Sequence, residues 1–158
     1  MMPERHFRKA TAEELNAILT LFEQTINAVN AAHYSPEQLR AWTSSVSKKD
    51  RWQKKIDEKH FLLAFVGREL TGFSSLTVDG HLDFLFVSKH HQRQGIATLL
   101  YIALEQHARK HQVQMLTVDA SITAKPFFEK HGFVLVQEQL VLIDGVALIN
   151  FKMKKKLA

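Results

Sequence analysis

The spacing of apolar residues along the chain changes near residue 60. Before that point apolar residues return every three or four positions, which is the period of amphipathic helices. Beyond it, short apolar runs are separated by turn residues, which is typical of strands, with one long helical stretch between them. The pattern predicts helices after Thr11, after Ser35 and around Trp52, and then at Gln94–His111 and Thr123–Lys130. It predicts strands at His6–Lys9, Phe61–Val66, Leu70–Val78, His81–Val87, Met115–Ala120, Phe133–Ile143 and Val146–Met153.

Two Asp-Gly pairs and one strand–helix–strand passage indicate the topology. Asp79-Gly80 and Asp144-Gly145 each separate two strand-like runs, and this dipeptide supplies the positive φ angles of a tight hairpin turn. The passage over residues 81–120 predicts a crossover that joins two parallel strands. We therefore expect an α/β (α+β) fold. It has a central, mixed and mostly antiparallel twisted sheet of about seven strands, flanked by about four to five helices.

Length and composition limit the classes of protein. With 158 residues, of which 46% are hydrophobic and 23% charged, the chain is typical of one globular domain, assigned to residues 1–158. The absence of cysteine excludes a disulfide framework, a thiolate metal site and a cysteine nucleophile. The longest apolar run, Phe61–Val66, is far shorter than the ~20 residues that span a bilayer. Because the N-terminus is polar and lacks a signal-peptide core, we expect a cytoplasmic protein without a membrane partner.

The net charge is moderately positive. The chain has 21 basic and 16 acidic residues, a balance of +5 that favours anionic partners. Much of the excess lies at Lys152, Lys154, Lys155 and Lys156, which we expect to form a solvated tail. Nucleic-acid binding needs basic residues interleaved with aromatics on one face, and the sequence offers only this cluster. A nucleic-acid-binding domain therefore ranks last, and no nucleic-acid partner is expected.

One segment carries clear chemistry. The strand ending Leu85-Phe86-Val87 leads into a basic, polar loop and then into a helix that begins near Gly95 and Ala97. The first turn of a helix has free N–H groups and a positive dipole end, and small residues let an anion approach them. Gln92, Arg93 and Gln94 add side-chain donors. This predicts a phosphate site, although neither the dinucleotide G-x-G-x-x-G nor the P-loop pattern is present.

The same residues resemble a known family. Leu85-x-Val87 followed by Gln92-x-x-Gly95-x-Ala97 resembles the acetyl-CoA pyrophosphate loop of the GCN5-related N-acetyltransferases (GNAT). The segment 123–133, TAKPFFEKHGF, resembles a later helix of that family. More narrowly, His33–Gln38, Trp42 and Leu116–Phe133 resemble the YafP-type group of bacterial acetyltransferases. The resemblance implies acetyl-CoA as cosubstrate, an amine as acceptor and no metal.

The resemblance also implies roles for individual residues. Backbone groups around Leu85, Phe86 and Val87 would hold the pantetheine arm, and the Val87 amide would polarise the thioester carbonyl. The pyrophosphate would bind backbone N–H groups of Gln92, Arg93, Gln94, Gly95, Ile96, Ala97 and Thr98. Phe127 and Phe128 would lie beside the arm, and Ser121 stands near a position where the family often has Asn. In the family the region of His33, Tyr34 and Trp42 shapes the acceptor pocket, although Trp42 is equally typical of a core residue.

Two residues are candidates for the base that removes the proton of the amine. In the family an acidic base often precedes the Val of the strand by four to six residues, a window that contains His81 and Asp83. Alternation along the strand predicts that His81 and Asp83 share a face with Leu85 and Val87. Asp83 is a base, a substrate ligand or an ion-pair partner; His81 is a base, a proton relay or an exposed turn residue.

The departing thiolate has no obvious proton donor. The family often has Tyr at position 128, whereas Phe128 has no proton to give. Either the thiolate leaves unassisted, or Tyr34, Tyr101 or Ser121 assists it. His107 and His111 are four residues apart on one helix, but without a third ligand in the sequence they are expected to be surface residues rather than a metal site.

The leading interpretation is therefore an acetyl-CoA-dependent N-acetyltransferase in which an amine attacks the thioester directly in a ternary complex. The alternative is a non-catalytic acyl-CoA-binding sensor, which the Phe128 substitution favours. The acceptor stays open among small polyamines, aminoglycoside-like drugs, amino acids and protein amines. A homodimer is possible, with Val146–Met153 as a candidate edge strand.

Overall fold

The computed structural model describes residues 4–158, in which seven strands form one sheet. The strand order is β1-β2-β3-β4-β5-β7-β6, and neighbours are antiparallel except for the parallel pair β4 and β5. This confirms the predicted mixed, mostly antiparallel sheet. The strands are β1 (Arg5–Lys9), β2 (His60–Val66), β3 (Glu69–Leu76), β4 (His81–Val87), β5 (Met115–Ser121), β6 (Val134–Ile143) and β7 (Val146–Lys156).

Five α-helices cover the two faces of the sheet. They are α1 (Leu15–Ala28), α2 (Pro36–Thr43), α3 (Lys49–Glu58), α4 (Ile96–Lys110) and α5 (Lys125–Lys130). The first three helices bury an aromatic-rich cluster against one face, and α4 buries aliphatic side chains against the other. Within the described part of the chain, none of the helices is long and apolar enough to cross a membrane.

The helix starts follow from local sequence. Ser35 accepts a hydrogen bond from the Gln38 N–H at 3.2 Å, and the Gln38 side chain returns one from the Ser35 N–H at 2.8 Å. Thr11 forms the same reciprocal box with Glu14 ahead of α1. Such boxes satisfy N–H groups that the first turn cannot pair. They fix where α1 and α2 enter the region above β4 and β5.

The C-terminal lysines belong to the sheet and do not form the predicted tail, although Lys152, Lys154 and Lys156 are exposed to solvent as expected. Lys152–Lys156 lies in β7, which pairs with β5 on one side and β6 on the other. Lys155 donates to Glu105 Oε1 at 2.6 Å and to the Tyr101 hydroxyl at 3.1 Å. Strand alternation places Lys152, Lys154 and Lys156 on the exposed face of β7, whereas Lys155 shares the opposite face with the buried Met153.

The sheet ends at β1 on one side and at β6 on the other, so Val146–Met153 is not an edge strand as expected. The strand β7 lies between β5 and β6, so its backbone groups are paired on both sides. By contrast β6 exposes apolar side chains, with Leu140 at 70% and Leu142 at 72% exposure. An exposed apolar edge strand is a site at which a second chain can pair. The homodimer stays a prediction, and β6 is the edge that would form it.

Candidate active site

The strands β4 and β5 diverge and open a cleft in the middle of the sheet. They pair only at His81 with Thr117 and at Leu82 with Val118. Beyond Leu82 the two strands separate, and a cleft of about 340 Å³ lies between them, lined by residues of both. Because β4 and β5 form no backbone hydrogen bonds with each other there, their facing N–H and C=O groups are available to a ligand with an extended, amide-containing chain.

A bulge at Asp83 lies where the strands begin to separate. Ser75 pairs with Phe84 and the next residue of β3, Leu76, pairs with Leu82, so Asp83 has no opposite residue. A bulged residue interrupts the alternation of side chains along its strand and increases the local twist. The bulge therefore changes which residues of β4 face the cleft.

The expectation that His81 and Asp83 share a face with Leu85 and Val87 is wrong for this reason. Leu85 and Val87 pack on the α4 side of the sheet, and so does Leu82. His81, which directly precedes Leu82, lies on the opposite face. The extra residue shifts the parity of the strand by one, which the sequence pattern alone does not reveal.

The backbone of β4 beyond the bulge points alternately at β3 and at the cleft. The Ser88 N–H donates to the Thr71 carbonyl at 2.8 Å, which makes this an antiparallel hydrogen-bonded pair. Successive residues direct their backbone groups to opposite sides, so Phe86 points at β3, whereas Leu85 and Val87 point toward the diverging β5. Among the three residues predicted to hold the pantetheine arm, Leu85 and Val87 thus offer backbone groups to the cleft, and Phe86 contributes a side chain to its wall.

The loop after β4 delivers the start of α4 to one end of the cleft. Gly95 precedes the first residue of α4 with φ of +79°, a backbone conformation that favours glycine. No side chain caps this helix, so its first N–H groups stay available for an anion. The residues predicted for the pyrophosphate site, Gln92–Thr98, are thus contiguous in the loop and the first turn of α4.

Gln92 differs from its predicted use. Its amide nitrogen donates to the Val87 carbonyl at 2.7 Å and to the Ser88 carbonyl at 3.2 Å. Both hydrogens of the amide are therefore used within the protein, and the expected side-chain donation to a phosphate is wrong. Gln92 closes the loop onto the end of β4, and Thr25 of α1 reaches the same Val87 carbonyl at 3.3 Å.

The far wall of this end is formed by β5 and α5. Ser121 accepts a hydrogen bond from the Ala124 N–H at 3.0 Å, which leaves its own hydroxyl hydrogen for another partner. Phe127 and Phe128 contact edge to face with centroids 5.3 Å apart, and Phe128 is buried. All three residues line the cleft.

Asp83 lies in the cleft wall and is held by two lysines. Its Oδ2 accepts from the Lys59 ammonium at 2.7 Å and from the Lys55 ammonium at 2.9 Å. Burial raises the pKa of the Asp83 carboxyl, but hydrogen bonds from Lys59 and Lys55 outweigh this and hold the pKa below its usual value. A carboxyl in this state is a weak base, and the contacts match the ion-pair role considered from the sequence.

His81 belongs to a polar network on the neighbouring strands. Its Nδ1 lies 2.8 Å from the Thr117 hydroxyl, and its Nε2 lies 3.7 Å from Asp119 Oδ2. The other Asp119 oxygen accepts from Gln139 at 3.0 Å, and Gln139 also bonds Asn150 at 2.9 Å. Asp119 and Asn150 line the cleft, so this network connects His81 to it.

The sequence prediction missed Asp119, although a signal was present. The run Met115–Ser121 alternates polar and apolar residues, which places Thr117, Asp119 and Ser121 on one face of β5. Lys55 and Lys59 could not be found in this way, because only the packing of α3 beside β4 brings them to Asp83.

Two of the three predicted acceptor residues line the cleft. The Tyr34 hydroxyl donates to the Ile149 carbonyl at 2.7 Å and accepts from the Ile122 N–H at 2.9 Å. Trp42 contacts the Tyr34 ring edge to face at 5.2 Å, and both rings border the cleft. His33 is exposed and reaches the cleft indirectly, through a 2.9 Å contact between its Nδ1 and the Thr123 hydroxyl.

Neither tyrosine suits protonation of a thiolate. The Tyr34 proton is used by the Ile149 carbonyl, and burial raises the pKa of Tyr34 although the Ile122 N–H lowers it. Tyr101 lies on the buried face of α4 and donates to Glu105 at 2.6 Å. Burial and the Glu105 carboxylate raise the pKa of Tyr101. Both candidates are wrong because the fold commits their hydroxyl groups elsewhere.

A family model for the acetyltransferase (GNAT) domain matches residues 30–156 of the chain. This chain belongs to the GNAT acetyltransferase family. The match confirms both the resemblance and the enzyme class predicted from it, and the family uses acetyl-CoA.

Relatives of this GNAT domain cover nearly all of its length. The uncharacterized N-acetyltransferase YafP of Escherichia coli (strain K12) is 34% identical over 152 residues, which cover 96% of this chain and 94% of YafP. A Rhodopseudomonas palustris structure, described as a GCN5-related N-acetyltransferase and as a class-II aminotransferase, has a TM-score of 0.94 at 32% identity and covers 99% of this chain and 98% of that chain. PaiA N-acetyltransferase from Thermoplasma acidophilum in complex with coenzyme A has a TM-score of 0.81 over 97% of this chain and 99% of its own; at 20% identity it shows the fold alone.

Proposed function

We propose that this GNAT domain moves the acetyl group of acetyl-CoA to a primary amine, which attacks the thioester directly while both substrates are bound. The observation that carries the proposal is the opening between β4 and β5, with the uncapped start of α4 at one end. Acetyl-CoA supplies an activated thioester in this site. Direct attack agrees with a chain that contains no cysteine to form an acyl-enzyme.

The cofactor end works through backbone groups. The N–H groups of residues 92–98 bind the pyrophosphate, and the backbone of Leu85 continues the sheet onto the pantetheine arm. The Val87 carbonyl is already bonded by Gln92 and Thr25, which leaves the Val87 N–H for the ligand. The Val87 N–H is directed to the cleft and polarises the thioester carbonyl. Phe127 and Phe128 pack along the arm and keep water from it.

We propose that Asp119, assisted by His81, removes the proton of the attacking amine, and that Asp83 does not. The Asp83 carboxylate already accepts from two ammonium groups on one oxygen, and their charge favours its ionised form. Asp119 borders the cleft, and its Oδ2 lies 3.7 Å from the Nε2 of His81, which can receive the proton in turn. Asp83 instead holds Lys55 and Lys59 beside the cleft.

The Ser121 hydroxyl donates a hydrogen bond to the sulfur of the departing CoA thiolate. Unlike Tyr34 and Tyr101, Ser121 accepts a hydrogen bond with its oxygen while its hydrogen is free to turn to the cleft. A hydrogen bond to the thiolate stabilises it without full proton transfer, which a thiol leaving group tolerates.

Acetyl-CoA titration followed by a thiol-release assay with amines tests the proposal. Acetyl-CoA at ~100 times its dissociation constant stabilises the folded state by ~2.7 kcal/mol if it binds only there. We expect this shift, and we expect free CoA to appear only when an amine is added. No thermal shift at millimolar acetyl-CoA contradicts the proposal as a whole.

The second candidate is an acyl-CoA sensor, which Phe128 favours because it removes the hydroxyl usual at that position. A sensor binds acetyl-CoA with the same thermal shift and releases no CoA with any amine. The two assays together therefore distinguish enzyme, sensor and neither.

A further inference from the structure

The acceptor side of the cleft differs in chemistry from the cofactor side and restricts the amine. Resting on the proposed function, we infer that the acceptor is a primary amine on an apolar body, with no second positive charge. Two features of the cleft support this: its acceptor side has apolar walls, and only two carboxylates are among its lining residues in the described chain.

Apolar side chains form both walls. Phe22, Val29 and Trp42 border the cleft from the α1 and α2 side, and Val141, Ile143 and Leu148 border it from the hairpin of β6 and β7. Val29 and Trp42, like Val141 and Ile143, are only half-buried, so part of their apolar surface faces the cleft. Covering that surface with an apolar ligand is favourable, whereas a ligand carrying ammonium groups leaves them without partners.

The charges of the cleft accommodate one amine and no more. Asp83 and Asp119 are the carboxylates among the lining residues of the described chain. Asp83 faces two lysines, so this group of three carries a net positive charge that repels a further ammonium. Asp119 remains for the reacting amine. Polyamines and aminoglycosides carry several ammonium groups and would need several carboxylates in place of these walls.

Neutral polar side chains among the lining residues can accept hydrogen bonds from the reacting nitrogen. Asn30 and Asn150 line the cleft together with Thr25. Amide and hydroxyl oxygens accept hydrogen bonds from an amine without adding charge. These side chains therefore offer the reacting nitrogen hydrogen-bond acceptors that carry no charge.

Three primary amines of equal length test the inference: hexylamine, 1,6-diaminohexane and 6-aminohexanoate. They present a methyl group, an ammonium or a carboxylate at the far end. We expect kcat/KM for hexylamine to exceed that for 1,6-diaminohexane at least tenfold, with 6-aminohexanoate below hexylamine. Equal or higher values for the diamine overturn the inference, and so does a preference for 6-aminohexanoate, which would assign Lys55 and Lys59 to a carboxylate.

A matched set of variants connects the preference to the wall. Trp42→Ala should reduce the ratio of hexylamine to diaminohexane severalfold, and Trp42→Phe should retain most of it. Leu142→Ala is the control, because Leu142 lies on the exposed side of β6 away from the cleft. A ratio that is unchanged in Trp42→Ala contradicts the assignment of this wall.

Failure of the inference and failure of the proposed function give different results. Acetylation of spermidine or of a lysine peptide, with none of hexylamine, overturns the acceptor class and leaves the acetyltransferase function standing. If acetyl-CoA binds by calorimetry and no CoA is released with any of these amines, both the acceptor class and the catalytic proposal are overturned.

Discussion

The two ends of the cleft are built from different parts of the chain. The proposed cofactor end consists mainly of backbone groups from one continuous stretch, residues 85–98, where a strand, a loop and a helix start follow one another. The proposed acceptor end consists of side chains from α1, α2 and the hairpin of β6 and β7, which are far apart in sequence. One end depends on backbone conformation and the other on packing.

The two ends of the cleft should respond differently to substitutions. A backbone site tolerates many side chains and is lost when the backbone angle changes. A site made of packed side chains changes its preference with each residue and leaves the backbone site intact. Substitutions in the acceptor wall of this chain should therefore change the preferred amine without changing the affinity for acetyl-CoA.

The largest effect is expected where the two ends meet, at the carboxylates of β4 and β5. Asp119→Asn removes the proposed proton acceptor, and general-base catalysis typically contributes ~10²–10⁴-fold. We expect kcat to fall by about that factor with little change in acetyl-CoA affinity. Steady-state kinetics with hexylamine and calorimetry with acetyl-CoA measure the two quantities.

Asp83→Asn is the matched control for this prediction, because it makes the same change on the neighbouring strand. We expect it to lower kcat less than about tenfold, since the pKa of Asp83 is held below its usual value by Lys59 and Lys55 despite its burial. The opposite order, with Asp83→Asn the more damaging, would return the role of base to Asp83.

A smaller effect is expected at the cofactor end itself. Gly95→Glu places a side chain at φ of +79° and a negative charge at the start of α4, where the pyrophosphate is proposed to bind. The dissociation constant for acetyl-CoA should rise about 100-fold, or ~2.7 kcal/mol. Calorimetry measures this directly.

Gly145→Glu is the control for Gly95→Glu, because it introduces the same side chain at a similar backbone angle but away from the proposed pyrophosphate site. Gly145 has a similar φ of +76° and open space around it, but lies in the turn between β6 and β7. It should leave acetyl-CoA affinity unchanged, as should Trp42→Ala at the acceptor end. Weakening by all three variants would show that the two ends are not independent.

The same difference explains what the sequence could predict. The loop around Gly95 and both Asp-Gly turns are local, so residue type and spacing were sufficient for them. The bulge at Asp83 was beyond reach, because it depends on how β4 pairs with β3. The proton-donor role considered for Tyr34 and the tail predicted for Lys155 failed for a related reason: their partners, Ile149 and Glu105, are more than 40 residues away in the chain.

The smallest effect is expected outside both ends, in a stack of histidines. His60, at the start of β2, stacks on His107 with ring centroids 3.6 Å apart, and His107 lies 4.2 Å from His111. The sequence pattern paired only His107 with His111, and the fold brings His60 to the same stack. Over residues 4–158, no group of three such side chains is arranged to hold a metal ion. Burial, and then the positive charges of His107 and Lys9, lower the pKa of His60 to about 4.

This shift makes the fold sensitive to acid. An unfolded histidine takes up a proton near pH 6.5, whereas His60 in the folded protein stays neutral until about pH 4. Stability is therefore lost as the pH falls from about 6.5 to about 4, by roughly 1 kcal/mol once solvent screening of this partly exposed group is taken into account.

Urea denaturation at pH 7.5 and pH 5 measures this loss, and His60→Gln should reduce it while His90→Gln, in an exposed loop, should not. Equal losses in the wild type and His60→Gln would contradict the assignment. Because His60 lies outside the cleft, His60→Gln should also leave the pH dependence of kcat unchanged. That result would separate the acid sensitivity of the fold from catalysis in the cleft.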